Sequence, residues 1–150
     1  MTILKFKTTI DASVQTVFDL SRSVDLHLES TSQTDEKVVG GKMSGLMELG
    51  ETVTWRAKHF GFYLTHESKI TQMTDGFFVD EMISGHFKSF RHEHFFTVDA
   101  SGLTEMTDLI RYGTPFGIFG WIFDGLLLEA HLRKLIENRN LCIKRAAEKT

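Results

Sequence analysis

One cysteine, Cys142, and one proline, Pro115, occur in 150 residues. A single thiol excludes an intrachain disulfide, and Cys142 falls in an apolar-periodic segment, where a small buried hydrophobe is the expected role. Charge of one sign is missing as well. The 17 basic and 20 acidic residues give a net charge of −3 and form no blocks, so nothing marks the chain for nucleic acid or an anionic membrane. Long hydrophobic runs are also absent. Met1 to Lys7 has neither the uninterrupted apolar run nor the cleavage site of a signal peptide. The most apolar stretch, Phe116 to Leu128, is too short to span a bilayer and carries Asp124 inside it. A cytoplasmic protein is expected, with no nucleic-acid partner and no stable membrane insertion. No repeat, low-complexity tract or linker divides the chain, so a single domain over residues 1–150 is expected. At that length about two thirds of the unfolded surface can be buried, enough for a core that needs no metal or disulfide.

What the chain has in excess is phenylalanine: 13, against two Trp and two Tyr. Phe adds large apolar area with no polar group to satisfy, which suits a lined cavity as well as a solid core. Thr2 to Ile10 alternates apolar and polar residues with β-branched members, the pattern of a half-buried strand. Asp11 or Ser13 can then cap a helix through Val14, Val17 and Phe18. Helical spacing continues to Val24, Leu26 and Leu28, which suggests two short helices.

From Val38 the pattern turns to β for about seventy-five residues, cut by Gly40-Gly41, Phe60-Gly61, Asp75-Gly76, Ser84-Gly85 and Ser101-Gly102 into five strands of a meander. Val53, Trp55, Ala57 and His59 share the inward face of one strand. Leu64, His66, Ser68 and Ile70 share that of the next, and Phe90, His92, His94 and Phe96 that of a later one. Half of this inner face is polar, while the outer faces read as polar throughout. After Pro115-Phe116-Gly117 the period becomes helical for about thirty residues, with Ile118, Trp121, Ile122, Gly125, Leu128, Leu132, Leu135, Ile136 and Ile143 on one stripe. The first half of that helix is apolar nearly all round, so it should be enclosed or covered. Arg133, Lys134, Glu137, Arg139, Lys144 and Arg145 make the second half amphipathic. Glycines 117, 120 and 125 suit either close packing or a mobile lid.

This order of elements resembles the START-like superfamily, also called SRPBCC, which includes the birch-pollen allergens and the polyketide cyclases. Several motifs resemble an uncharacterised bacterial ligand-binding subfamily: Gly50-Glu51-Thr52-Val53-Thr54-Trp55-Arg56-Ala57-Lys58-His59-Phe60-Gly61, Phe78-Val79-Asp80-Glu81-Met82, Gly85-His86-Phe87-Lys88, His92-Glu93-His94-Phe95 and Pro115-Phe116-Gly117. Together they span most of the chain. Phe90 stands where the pattern favours Trp, which would reshape a pocket wall. The resemblance implies an α+β helix-grip fold, in which a curved antiparallel sheet, two short helices and one long C-terminal helix enclose a deep cavity.

On the concave face the alternation gathers Trp55, His59, His66, Phe78, Asp80, Met82, Phe90, His92, His94, Met106, Asp108, Ile110 and Tyr112. Short turns place Asp80 beside His92 and Asp108 across from His94, and a histidine N–H is a suitable partner for a buried carboxylate. These four are expected to pair in that way. They either satisfy one another in a core or present polar groups to a ligand. His-x-His could also begin a metal site with Asp80, Asp108 or His59 as a third ligand, but spacing alone does not establish one, and no metal or cofactor is expected. His27 and His131 read as surface or lining residues.

The leading expectation is a binder of a hydrophobic small molecule, such as a lipid, polyketide or aromatic metabolite. Trp55, His59, His66, Phe78, Met82, Phe90, Met106, Tyr112, Trp121 and Ile122 would contact it, in a monomer or weak homodimer. A second reading is a cyclase- or aromatase-like enzyme, with His92, His94, Asp108 and Asp80 as acid and base. A third, a co-chaperone-like interaction module, predicts an exposed apolar patch, against which the polar outer faces argue.

Overall fold

The computed structural model describes residues 1–150. Strand β1 (Thr2–Ile10) is followed by helices α1 (Val14–Ser21) and α2 (Val24–Ser30), a single 3₁₀ turn, and strands β2 (Lys37–Gly41), β3 (Thr52–His59), β4 (Phe62–Thr74), β5 (Phe77–Ser84), β6 (Ser89–Val98) and β7 (Thr104–Gly113). The chain ends in α3 (Gly117–Phe123), a π-helical segment (Asp124–Leu128) and α4 (Glu129–Glu148). The five-strand meander of the sequence reading omits β2, whose five residues include two glycines and which joins the sheet through a bulge between Val38 and Gly40.

Both short helices begin where the side chains dictate. The hydroxyls of Ser13 and Ser23 accept from the backbone N–H of Thr16 and Leu26, satisfying donors that a helix start leaves free. The seven strands form one antiparallel sheet in the order β1-β7-β6-β5-β4-β3-β2. β4, the longest at 13 residues, carries two irregularities, at Glu67/Ser68 and Ile70/Gln72. Such bulges bend a strand and increase its twist, here turning the sheet into a concave wall.

Two apolar clusters flank that wall. In the larger, Phe18 of α1 meets Phe78 and Phe96 edge-on at 5.5 and 5.4 Å, and Ile143 and Ala147 close it from the end of α4. In the smaller, Leu4, Ile110 and Tyr112 pack beneath Leu128, Leu132 and Ile136. The beginning of α4 and the sheet are held apart between these two clusters, and the space between them is open.

The C-terminal helix departs from an unbroken α period. A π turn accommodates one residue more than an α turn, which rotates the residues before it by about 100° relative to those after it. The stripe drawn through Ile118, Trp121 and Ile122 is therefore displaced. Phe119, Gly120 and Phe123 border the cavity, Phe119 only at an exposed edge, while Trp121 does not border it and is 72% exposed. Ile118 and Leu126 are exposed too, so the polar outer faces expected from the strands do not extend to this segment, which is uncovered apolar surface. Of its glycines, Gly120 serves close packing: a Cβ there would lie 1.9 Å from the Pro115 carbonyl oxygen. Gly117 follows Phe116 into the left-handed region, with φ of 54° after 69°, and Gly125 has open space around its Cα.

Candidate functional site

The open space is a cavity of about 810 Å³ between the concave sheet and the C-terminal helices. Its apolar wall comes from Val53, Trp55, Phe78 and Phe90 on the sheet and Phe119, Leu132, Leu135 and Ile136 on the helices. All seven histidines of the chain line it: His27, His59, His66, His86, His92, His94 and His131. Scattered in sequence, they converge because alternate residues of β3, β4 and β6 share the concave face while α2 and α4 close over it.

The polar floor is built on β5, β6 and β7. The Cα registers Asp80↔His92 and His94↔Asp108 are as expected, but the hydrogen bonds run diagonally. His92 Nε2 donates to Asp108 Oδ1 at 2.8 Å, and His94 Nε2 donates to Asp80 Oδ2 at 2.7 Å. The expected pairing of facing residues is corrected by ring stacking. His92 and His94 lie face to face at 3.7 Å between centroids, and Phe78 covers His94 at 4.0 Å. The stacked rings lean along the strand and reach the diagonal carboxylates.

The helix supplies the rest. Arg139 Nη1 lies 3.3 Å from Asp108 Oδ1, and Asn140 Nδ2 donates to Asp108 Oδ2 at 2.8 Å. Arg139 Nη2 also faces His94 Nδ1 at 3.4 Å and the Ser21 carbonyl at 3.2 Å. Asp108 is fully buried. Burial alone would raise its carboxyl pKa, but the Arg139 charge and the His92 and His94 hydrogen bonds outweigh this and hold it well below the ordinary range. The same balance acts on Asp80, where the His94 hydrogen bond and the neighbouring His92, His94 and Arg139 bring it down to about 2. Burial, reinforced by the proximity of His94, lowers His92 to about 4.

A second polar group lines the cavity where α2, β3 and α4 meet it. His27 Nε2 and Glu36 Oε2 are 2.9 Å apart, and the His27 ring packs on Trp55 at 4.1 Å. His59 Nδ1 meets His131 Nε2 at 2.8 Å, tying the end of β3 to α4. Burial lowers the pKa of both rings, aided at His131 by its neighbour His59.

Of the residues expected at a site, Trp55, His59, His66, Phe78, Asp80, Phe90, His92 and His94 line the cavity. Five expected contacts lie elsewhere. Met106 is wholly buried in the larger cluster, with its sulfur 3.4 Å from Ser21 Oγ. Tyr112 packs under Phe87 and Phe90, and its hydroxyl donates to Asp124, which also accepts from Thr2. Met82 folds over the β5–β6 turn at Gly85, where its sulfur fills the space a Cβ would need. Trp121 and Ile122 face outward because of the π turn. Asp108 lies behind the floor and not on it.

Arg139, Asn140 and Asp124 were not singled out from the sequence. A signal existed for the first two: they fill positions three and four beyond Ile136 on the stripe that resumes at Ile143. Polar groups at core positions of a helix imply a buried partner.

Asp80, His92 and His94 offer ligand atoms within 4.8 Å of one another, as a metal site would. Their bonding opposes one. Both Nε2 atoms already hold carboxylates, and the Arg139 guanidinium, 3.4 Å from His94, would repel a second cation.

No family model and no curated protein matches the chain. Solved structures do match over nearly its full length. The Zhui aromatase/cyclase from Streptomyces sp. R1128 superposes with a TM-score of 0.74 at 12% identity, covering 99% of this chain and 94% of that one. A START superfamily protein from Mycobacterium smegmatis gives 0.70 at 9%, covering 98% and 97%. The ginseng major latex-like protein 151 from Panax ginseng gives 0.68 at 15%, covering 97% of each. With one curved antiparallel sheet wrapped on a long terminal helix and two short helices after the first strand, the chain has the helix-grip α+β fold of the START-like superfamily.

Proposed function

We propose that this protein binds a hydrophobic small molecule non-covalently inside the cavity. The observation that carries the reading is the cavity itself: about 810 Å³, walled by aromatic and aliphatic side chains, with a few convergent polar groups. That size and chemistry are those of small-molecule pockets, whereas a satisfied core would be packed without such a void. A lipid, polyketide or aromatic metabolite fits its description. The neutral fluorophore N-phenyl-1-naphthylamine should bind saturably at one site. Ala57→Phe, which projects a ring from the β3 wall into the space, should weaken that binding at least about tenfold, a difference of about 1.4 kcal/mol, with an unchanged urea midpoint. Absence of saturable binding, or full binding by the filled variant, would sink the reading.

One observation favours a second reading, an enzyme like the neighbour that is named an aromatase/cyclase, here working by acid–base chemistry. Asp80 is held by His94 and is partly open to the cavity, within reach of a ligand proton; its carboxyl, brought down to about 2, is a weak base, so this reading rests on position and not on basicity. Turnover of a poly-β-ketone substrate that disappears in Asp80→Asn while its binding persists would establish catalysis. Binding without turnover in the unaltered protein would remove it.

A further inference from the structure

The charges around the cavity restrict what can enter it. Only two cationic side chains other than histidine line it, Arg22 and Arg139, and no lysine does. Arg22 is held by Asp19 and Glu48, each at 2.7 Å, and Arg139 by Asp108 at 3.3 Å. Neither is free to receive an anion. Two carboxylates, Glu36 and Asp80, line the space directly. Burial would raise both pKa values, but the hydrogen bond from His27 to Glu36 and that from His94 to Asp80 keep them ionised. Whatever charge His27 and His94 carry is matched by the carboxylates they bond. His59, His66, His92 and His131 are all lowered by burial from 6.5, and stay neutral near pH 7.

The hydrogen bonds have a direction as well. Asp80 Oδ2 is taken by His94, while Oδ1 has no partner in the chain, and the Asp80 side chain is 22% exposed although it points into the fold. His66 and Ser68 lie beside it on the β4 wall, and neither side chain hydrogen-bonds within the protein. An ionised, half-satisfied carboxylate in an apolar enclosure needs a donor to complete it.

We propose that the ligand is an uncharged apolar molecule bearing a hydroxyl, which donates to Asp80, and that the cavity rejects carboxylate-bearing ligands. The inference rests on the cavity being the binding site and adds the chemical class of its occupant. A fatty acid anion would bring a third negative charge into a desolvated space with no cation to meet it. Like charges so placed repel, so a carboxylate should bind on the order of a hundredfold more weakly than the alcohol of the same chain.

Displacement of N-phenyl-1-naphthylamine at pH 7.5 by 1-dodecanol, methyl dodecanoate and dodecanoate tests this. The expected order of affinity is alcohol, then ester, then carboxylate, because the ester is neutral but has no donor. Asp80→Asn should narrow the gap between alcohol and carboxylate at least about tenfold. The three-ligand comparison in the unaltered protein stands even if that variant fails to fold. Dodecanoate binding as well as dodecanol overturns the inference and leaves the binding function intact. An ester equal to the alcohol overturns the donor role of the ligand hydroxyl. If the probe itself fails to bind, both the inference and the proposed function fall.

Discussion

Arg139→Met should cost about 3–5 kcal/mol of stability, read as a fall in the urea midpoint at constant slope, because it strands a buried anion. Asp108 is fully enclosed and accepts from His92 and Asn140, but Arg139 is the only guanidinium bonded to it. Methionine has nearly the same reach and supplies no donor, so the loss would report the charge and not the packing. Asp108→Asn in the same background should recover part of the loss, since an amide needs no countercharge. A loss under about 1 kcal/mol in Arg139→Met would mean that Asp108 is neutral in the native protein, and the electrostatic description of the floor would have to be abandoned.

Acid should unfold the protein in two overlapping stages. His92 has a pKa of about 4 in the fold against 6.5 for the free side chain. The unfolded chain therefore binds the proton first, native stability falls as pH drops from about 6.5 toward 4, and this one group accounts for about 3 kcal/mol of that fall. His59, His66 and His131 are lowered too and act in the same direction. Below that range the carboxylates take over. Asp80, at about 2 against 3.8, stabilises the fold above pH 3.8, and its contribution disappears as pH falls toward 2; Asp108, held well below the ordinary carboxylate range, acts in the same direction. Both stages have the same sign, so urea midpoints should decline from about pH 7 down to pH 2 with no recovery between the stages, and His92→Gln should flatten the upper stage. A midpoint that stays level from pH 7.5 to 5 would show that the histidines are not buried in neutral form.

Strand alternation was enough to place Trp55, His59, His66, Phe78, Asp80, His92 and His94 on one face, because a period of two leaves only one choice once the buried side is known. It was enough for the Cα registers Asp80↔His92 and His94↔Asp108 as well. It could not say which imidazole bonds which carboxylate, since that depends on the two rings stacking, a contact between side chains and not between positions. The helix was harder to read. A continuous 3.6-residue period assigns Trp121 and Ile122 to the cavity, and one π turn is enough to leave its border to Phe123 and, at an exposed edge, Phe119. Such a turn leaves no compositional mark beyond an acidic residue, Asp124, in an apolar run, and that residue proves to be bonded to Tyr112 and Thr2. Arginine usually belongs on the solvated face of a helix, which hides the role of Arg139; its position between Ile136 and Ile143 is the better guide.

The first strand of the sheet lies against the last. β1 pairs along its whole length with β7, Thr2 opposite Tyr112 and Ile10 opposite Thr104, so the chain's opening strand has no partner until the far end of the meander has been made. During synthesis β1 must wait, unpaired, while the meander from β2 to β6 can close hairpin by hairpin behind it. Pairings this distant in sequence are slow to form, because the entropy of closing the loop comes before any reward. Asp108 sits on β7 and its arginine on α4, so the charged floor assembles only when the final helix docks. Folding of this protein should therefore be governed by its ends, with the cavity the last part to take shape.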